Sequence, residues 1–219
     1  MKIDFVSDVA CPWCAVGLNS LEIALQRIGE EIPVEMHFQP FELNPGMPAA
    51  GEDIIEHLSR KYGASAEQLA ASRQALKERG AAVGFTFGDR GRVWNTFDAH
   101  RLLYWAGLQG RQRELKHALL EAYHTRGQNP GDEDVLVQCA VQAGLDAVET
   151  RDVIQTGHYA DEVRAAEAFF QRAGIRSVPA IIINEKHLIS GGQPPEVFEE
   201  ALRQIAAEPA AGTAPDAAA

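Results

Sequence analysis

The stretch SDVACPWC, Ser7–Cys14, sets two cysteines two residues apart where one hydrophobic pattern gives way to another. Before it, KIDFV (2–6) alternates weakly, Ile3 and Phe5 against Lys2 and Asp4, with the two-residue period of a strand. After it, Cys14, Leu18, Leu21, Leu25 and Ile28 recur at helical spacing, and Gly29 follows where a helix C-cap belongs. The pair therefore occupies a strand-to-helix junction. Cys11 falls at or next to the helix N-cap, where unpaired backbone N–H groups and the positive end of the helix dipole favour negative charge. Its thiol is expected to ionise near neutral pH and to be exposed. Cys14 lies on the same side of the first turn but opens the buried stripe, so it is shielded yet within reach of Cys11. Pro12 suits the first turn because no N–H is needed there. An exposed thiolate beside a shielded thiol suits two-step exchange: attack on a disulfide, then resolution of the mixed disulfide.

Two other uses of a cysteine pair compete with this one. A structural zinc site takes four Cys or His ligands, and no second closely spaced pair exists. His57, His117, His124 and His158 are scattered over helical patterns and are expected at the surface, so no metal is expected. Cys139 shares a stripe with Val135, Leu136, Ala140 and Ala143 and is expected to be a small buried hydrophobe. Three cysteines are too few for a disulfide scaffold.

Farther along, IPVEMHFQPF (32–41) alternates again and NPG (44–46) stops it. The next stretch is almost wholly helical in period. Ser65 and Gln68 have capping-box spacing, as do Asp146 and Glu149. Apolar stripes recur at Ile55/Leu58/Tyr62, Ala99/Leu102/Leu103/Ala106, Leu115/Ala118/Leu119/Ala122 and Val163/Ala166/Phe170/Ala173. Strand character returns with AIIIN (180–184), a continuous apolar run of the kind covered on both faces, and HLIS (187–190) follows as its hairpin partner. QPPEVFEEALRQI then forms a last helix with Pro195 in its first turn. The expected organisation is an α/β domain in two parts, 1–46 and 174–207, sharing one sheet. A helical insertion (47–173) separates the parts, and a low-complexity tail (208–219) is expected to be disordered.

Val178-Pro179 stands directly before the apolar strand. A proline there marks a tight turn into the strand, possible in cis. Facing the cysteines, such a loop would leave the Val178 backbone free to pair with an extended substrate chain. Pro12, Trp13, Val178 and Pro179 are accordingly the residues expected to meet substrate. His100, beside the stripe of Ala99 and Leu102, either faces the active site from the insertion or is a hydrogen-bonded interface histidine, and the interface is preferred. Asn95 and Arg101 share that choice. Asp8 either assists proton transfer or is a turn residue, with the turn preferred. Trp94, Phe97, Tyr104 and Trp105 are expected to pack the core.

The chain has 219 residues and a formal net charge of −11 at pH 7, which disfavours nucleic-acid and membrane-surface partners. Asp4 and Asp8 interrupt any signal-peptide core, so a cytoplasmic protein is expected.

Five stretches together resemble the thioredoxin-fold DsbA family, nearest its cytosolic FrnE-like branch: DVACPWCAVG (8–17), PFELNP (40–45), NTFDAHRLL (95–103), VPAIIIN (178–184) and SGGQPPEVF (190–198). The resemblance spans about residues 1–206. It implies a thioredoxin-like fold with a helical insertion, Cys11 as attacking cysteine, Cys14 as resolving cysteine, and Pro179 as a cis-proline beside them. It implies a disulfide-bearing protein or small molecule as substrate and no organic cofactor, with glutathione as a possible redox partner. The same fold hosts kappa-class glutathione transferases and 2-hydroxychromene-2-carboxylate isomerases, which place serine at the first active-site position. A glutathione-dependent transferase or isomerase is thus the first alternative, and a non-catalytic peptide-binding or chaperone-like module the second.

Within the pair, Trp13 stands where the resemblance to the periplasmic oxidant DsbA would place a histidine able to stabilise the thiolate. The reduction potential of the Cys11–Cys14 couple is therefore expected below DsbA's value of about −120 mV. Equilibration with a glutathione buffer measures it, and a potential at or above that value contradicts the expectation.

Overall fold

The alternating run at the N-terminus forms β1 (Lys2–Ser7), buried on nearly its whole length, and passes through a four-residue loop into α1 (Pro12–Ile28). The computed structural model describes residues 1–208. β2 (Glu35–Pro40) pairs parallel with β1, and β5 (Ala180–Ile183) pairs antiparallel with its other side. β6 (His187–Ser190) completes the sheet in the order β2-β1-β5-β6. α9 (Pro195–Ala207) packs beside α1 on one face. Front and back of the chain thus share one sheet, as the pattern of the sequence requires. The core between sheet and helices holds Ile3, Phe5, Leu18, Leu21, Phe38, Ile181, Phe198 and Leu202, and includes both Cys11 and Cys14.

Between β2 and β5 lie α2 (Ile54–Tyr62), α3 (Ala66–Ala82), α4 (Phe97–Leu108), α5 (Gln112–Leu120), α6 (Glu133–Gln142), α7 (Ala147–Thr156) and α8 (Ala160–Arg172). α5 runs into a π-turn, Glu121–Thr125. A two-stranded ladder, β3 (Glu52–Asp53) with β4 (Arg92–Val93), interrupts this otherwise helical stretch. α4–α7 build a core of their own from Leu102, Leu103, Leu115, Leu119, Leu136 and Val153, and Val9 of the β1–α1 loop inserts into it. α3 instead lies against α1, and Leu76, Val83, Phe85 and Phe87 join the core of the sheet. Within the helical insertion, α3 thus packs on the sheet domain while α4–α7 surround a core of their own.

Other expectations change in detail. Of the stripe Ile55, Leu58 and Tyr62 only Leu58 packs inward: Ile55 and Tyr62 are exposed, and Ile54 and His57 are buried. Asp53 caps α2 by accepting from the Ile55 and Glu56 N–H groups, and Ile54, the first helical residue, packs with Met47 and Val93. Ala173 is exposed beyond the end of α8, and Glu167 takes a buried place on that helix. The Ser65–Gln68 capping box forms as expected. Glu208 pairs with Lys186, and the remainder of the expected tail lies outside the described residues. Among the described residues, no helix is long and apolar enough to cross a membrane.

One contact holds the helical bundle against the open edge of the sheet. The Gln112 carboxamide accepts from Phe38 N–H at 3.0 Å and donates to the Phe38 carbonyl at 3.0 Å and to the Leu103 carbonyl at 3.1 Å. A side-chain amide here takes the place of a neighbouring strand. Gln112→Ala would strand both backbone groups of the buried Phe38, at a cost of about 1–3 kcal/mol. Chemical denaturation is expected to show that loss as a lower midpoint, and an unchanged midpoint would contradict it.

Candidate active site

Cys11 is the N-cap of α1 and Pro12 its first helical residue, so the local geometry follows the sequence pattern. Cys11 N–H donates to the Asp8 carbonyl at 3.2 Å and Cys14 N–H to the Cys11 carbonyl at 3.1 Å, closing the turn that brings the side chains together. Both cysteines are free. Cys14 is fully buried, as expected. Cys11 is only 4% exposed, a correction to the expected open thiol. The reason is tertiary: the loop before β5 folds over it, and the Cys11 thiol donates to the Val178 carbonyl at 3.4 Å.

The Val178-Pro179 peptide bond is cis. Gly17 allows that loop its close approach, since a Cβ at position 17 would stand 2.9 Å from Pro179 Cγ and 3.4 Å from Gly192 Cα. The Pro179 carbonyl accepts from Gly191 N–H at 2.8 Å, which ties the loop to the end of β6. The Val178 N–H has no hydrogen-bond partner among the described residues. Trp13 is 40% exposed beside this loop, with the Arg79 guanidinium 6.0 Å from its ring centre. Arg79 also donates to the Gly192 carbonyl at 2.9 Å. Pro12, Trp13, Val178 and Pro179 therefore border one surface with Cys11.

The two thiols are driven apart in acidity. The hydrogen bond from Cys14 holds the Cys11 thiol below its usual value, against the effect of burial, and the amides of Cys14 and Trp13 add to the lowering. Burial pushes Cys14 well above the ordinary thiol value, and the neighbouring Cys11 raises it further. Cys139, by contrast, is buried in the bundle 3.6 Å from the Ala118 carbonyl, and burial pushes its thiol up to about 11. It is the inert hydrophobe expected.

Asp8 is a fully buried carboxylate three residues before Cys11. Its Oδ1 accepts from Ala10 N–H at 3.0 Å and from the Thr96 hydroxyl at 2.8 Å, with His100 Nε2 at 3.3 Å. Its Oδ2 accepts from Leu43 N–H at 2.7 Å. Burial opposes its charge, but the bonds from His100, Leu43 and Ala10 prevail and hold its pKa below the usual carboxylate value. The expected turn role is present in the Ala10 bond, but Asp8 also joins the loop, the exit of β2 and the start of α4. His100 is 2% exposed and sits between the bundle and the cysteine loop, against Asp8. Asn95 Oδ1 accepts from Phe97 N–H at 2.8 Å just before α4, and the N-cap residue Thr96 gives its hydroxyl to Asp8. Arg101 is buried and donates to the carbonyls of Val153, Ile154 and His158.

Some residues near the site were not legible as such in the sequence. Tyr62, expected in a core stripe, is exposed near enough to Cys11 that burial and then the Cys11 charge raise its pKa. His124, expected at the surface, is fully buried. Its Nε2 donates to the Val9 carbonyl at 2.8 Å, and burial holds its pKa well below the usual histidine value. His57 is also buried, between Glu52 at 2.7 Å and Asn44 at 3.2 Å. Lys116, on the otherwise apolar inner face of α5, is fully buried and its Nζ has no hydrogen-bond partner. Among the described residues, no group of three or more His, Cys, Asp or Glu side chains is placed to hold a metal ion.

A four-stranded sheet, a helix capped by the first cysteine of a C-x-x-C pair, and a cis-proline loop against that cysteine define a thioredoxin-fold protein with a helical insertion. The chain belongs to the DSBA-like thioredoxin domain family, whose model matches residues 2–203. It is similar to a probable DsbA oxidoreductase from Streptomyces coelicolor, 38% identical with a TM-score of 0.91 over 100% of this chain and 95% of that one. It is 29% identical over 203 residues to the uncharacterized protein YwbO of Bacillus subtilis (strain 168), covering 92% of this chain and 96% of that protein. A 2-hydroxychromene-2-carboxylate isomerase shares the fold with a TM-score of 0.70 at 12% identity, covering 94% of this chain and 96% of that one.

Because the Asp8 charge raises the Cys11 value, Asp8→Asn is expected to move Cys11 alkylation to lower pH. Mass spectrometry of iodoacetamide labelling across pH measures this, and a profile unmoved or moved upward would contradict it. Asp8 has a depressed pKa in the fold, so its contribution to stability is present above the ordinary carboxylate value and is lost as pH falls through its folded value.

Proposed function

We propose that this chain is a thiol–disulfide oxidoreductase of the FrnE-like branch, working through the CPWC pair in the cytoplasm. Cys11 attacks a substrate disulfide as the thiolate, forming a mixed disulfide and releasing the first thiol. Cys14 then attacks the Cys11 sulfur, closing the Cys11–Cys14 disulfide and releasing the second thiol. The Val178–Pro179 loop aligns the substrate, its free Val178 N–H available to an extended chain, and Trp13 and Pro12 border the entrance. The substrate is a protein or small molecule bearing a disulfide, and glutathione is a redox partner for the pair.

The observation that carries this proposal is the opposed acidity of two adjacent thiols at one helix N-terminus. Cys11 is stabilised as the thiolate while Cys14 is held as the thiol. An inert pair has no need of that difference, and it is the arrangement the two steps require. The similarity to the Streptomyces oxidoreductase supports the same assignment.

Cys11→Ser is expected to abolish reduction of a model disulfide such as insulin by a dithiol. Cys14→Ser is expected to retain the first step and accumulate a substrate mixed disulfide on Cys11, visible as an intact-mass adduct. Undiminished turnover by Cys11→Ser would overturn the proposal.

A further inference from the structure

Cys11 is bordered by Trp13 and by the Val178–Pro179 loop, and a disulfide that reaches its thiol meets that surface. One cation stands over it. Arg79, in the last turn of α3, lies with its guanidinium 6.0 Å from the Trp13 ring centre. Its Nη2 donates to the Gly192 carbonyl at 2.9 Å. Gly192 in turn rests on Trp13: a Cβ on it would meet the Trp13 carbonyl at 3.1 Å and the Trp13 ring at 3.4 Å. Its neighbour Gly191 donates to the Pro179 carbonyl at 2.8 Å. Arg79 therefore contacts both borders, Trp13 directly and the cis-proline loop through the turn that ties it down.

What Arg79 lacks is an anion. Arg60 of α2 pairs with Glu52, and Lys77 of α3 pairs with Asp89. Arg79 makes no ion pair among the described residues, and the bond to Gly192 is the one hydrogen bond its guanidinium makes there. A guanidinium has several N–H donors in one planar fork, so most of them stay open toward solvent. Lying over an indole and held at one nitrogen, the fork is already oriented, and less freedom is lost when it binds. The chain carries 31 Asp and Glu against 20 Lys and Arg. In so acidic a molecule, an arginine left without a carboxylate at the edge of the site is free to take one from outside.

We propose that Arg79 selects the substrate by binding a carboxylate close to the disulfide, so that the preferred class is an acidic disulfide. The proposal rests on the oxidoreductase function above and names the substrate class for that same site. The shared chemistry is a carboxylate a few bonds from the sulfur, and it has two sources. One is a free carboxylate of a small disulfide, the other an Asp or Glu side chain beside a cysteine of a polypeptide. In either, two N–H groups of the fork meet two carboxylate oxygens in parallel, a pairing with direction as well as charge. Arg79 takes no part in making or breaking the sulfur bonds. It sets which disulfide is held against the nucleophile.

The contacts Arg79 already makes leave this use open. Gly192 occupies one nitrogen and Trp13 one face, and neither occupies the outer edge of the fork. Asp8, three residues before Cys11, offers no competing partner, because it is fully buried and both its oxygens are engaged. The net charge of −11 repels any anion at long range, so selection for an acidic disulfide depends on a local cation. Removing that one cation leaves only the repulsion.

The test pairs matched disulfides: that of N-acetylcysteine against that of its amide, and a short peptide disulfide with Asp beside the cysteine against one with Asn. Rates of adduct formation on Cys11 are read by intact mass in Cys14→Ser, each normalised to the rate with a small free thiol to remove intrinsic reactivity. With Arg79 present, the acid is expected to react about threefold or more faster than its neutral match in at least one pair, the size of an exposed ion pair. The pair that shows it identifies the source. The preference is expected to fall to parity or below in Arg79→Gln, to survive in Arg73→Gln, an exposed arginine earlier on α3, and to shrink as salt is raised. Comparing acid with neutral match inside one protein cancels any general loss from disturbing Trp13 or Gly192, and thermal melting checks the fold. A preference below about threefold in both pairs, one that persists in Arg79→Gln, or one that Arg73→Gln lowers as much overturns the assignment. If no disulfide forms an adduct on Cys11, the oxidoreductase function fails and the role of Arg79 with it; if acid and neutral disulfides react alike, only the role of Arg79 fails.

Discussion

The buried carboxylate of Asp8 is the constraint on which the rest of the site depends. A charge with no exposure is tolerable only where every lone pair is used, and here four donors from three parts of the chain supply the bonds. Ala10 belongs to the cysteine loop, Leu43 to the exit of β2, and Thr96 and His100 to the start of α4. One side chain thereby fixes the sheet, the cysteine loop and the bundle against each other. Val9, the next residue, inserts into the bundle core and adds an apolar anchor to the polar one. The loop that presents Cys11 is held from both sides.

The same carboxylate acts against the thiolate it helps to position, because its negative charge raises the Cys11 value. What prevails is local: the Cys14 thiol and the amides of the first turn of α1 favour the charge on Cys11 at short range. The two thiols are therefore separated in acidity by opposed forces within one helical turn, with burial acting mainly on Cys14. The near-burial of Cys11 under the Val178 carbonyl sets the cis-proline loop directly on its thiol.

Much of this was legible in the sequence, and the parts that were share a physical basis. The strand-helix junction, the N-cap place of Cys11, the hairpin after AIIIN and the Val178-Pro179 turn all depend on spacing within a few residues. The position of Asp8 was visible too, but only its local turn. The misplaced residues show the limit: Ile55 and Tyr62 satisfied a helical period yet face outward, because α2 packs through Ile54 and Leu58 against Met47 and Val93. Lys116 and His124 look like polar positions on amphipathic helices, and their burial depends on which element packs across them.

The sequence by itself determined where the more acidic thiol would sit, since the N-cap, the proline and the helical stripe are properties of neighbouring residues. Only the tertiary structure decided what surrounds that thiol. The Thr96–Asp8 bond joins residues 88 apart, and the His124–Val9 bond joins residues 115 apart. No periodicity encodes such pairs, because a side chain's burial and its partners are set by how distant faces meet, and each face alone is compatible with several neighbours.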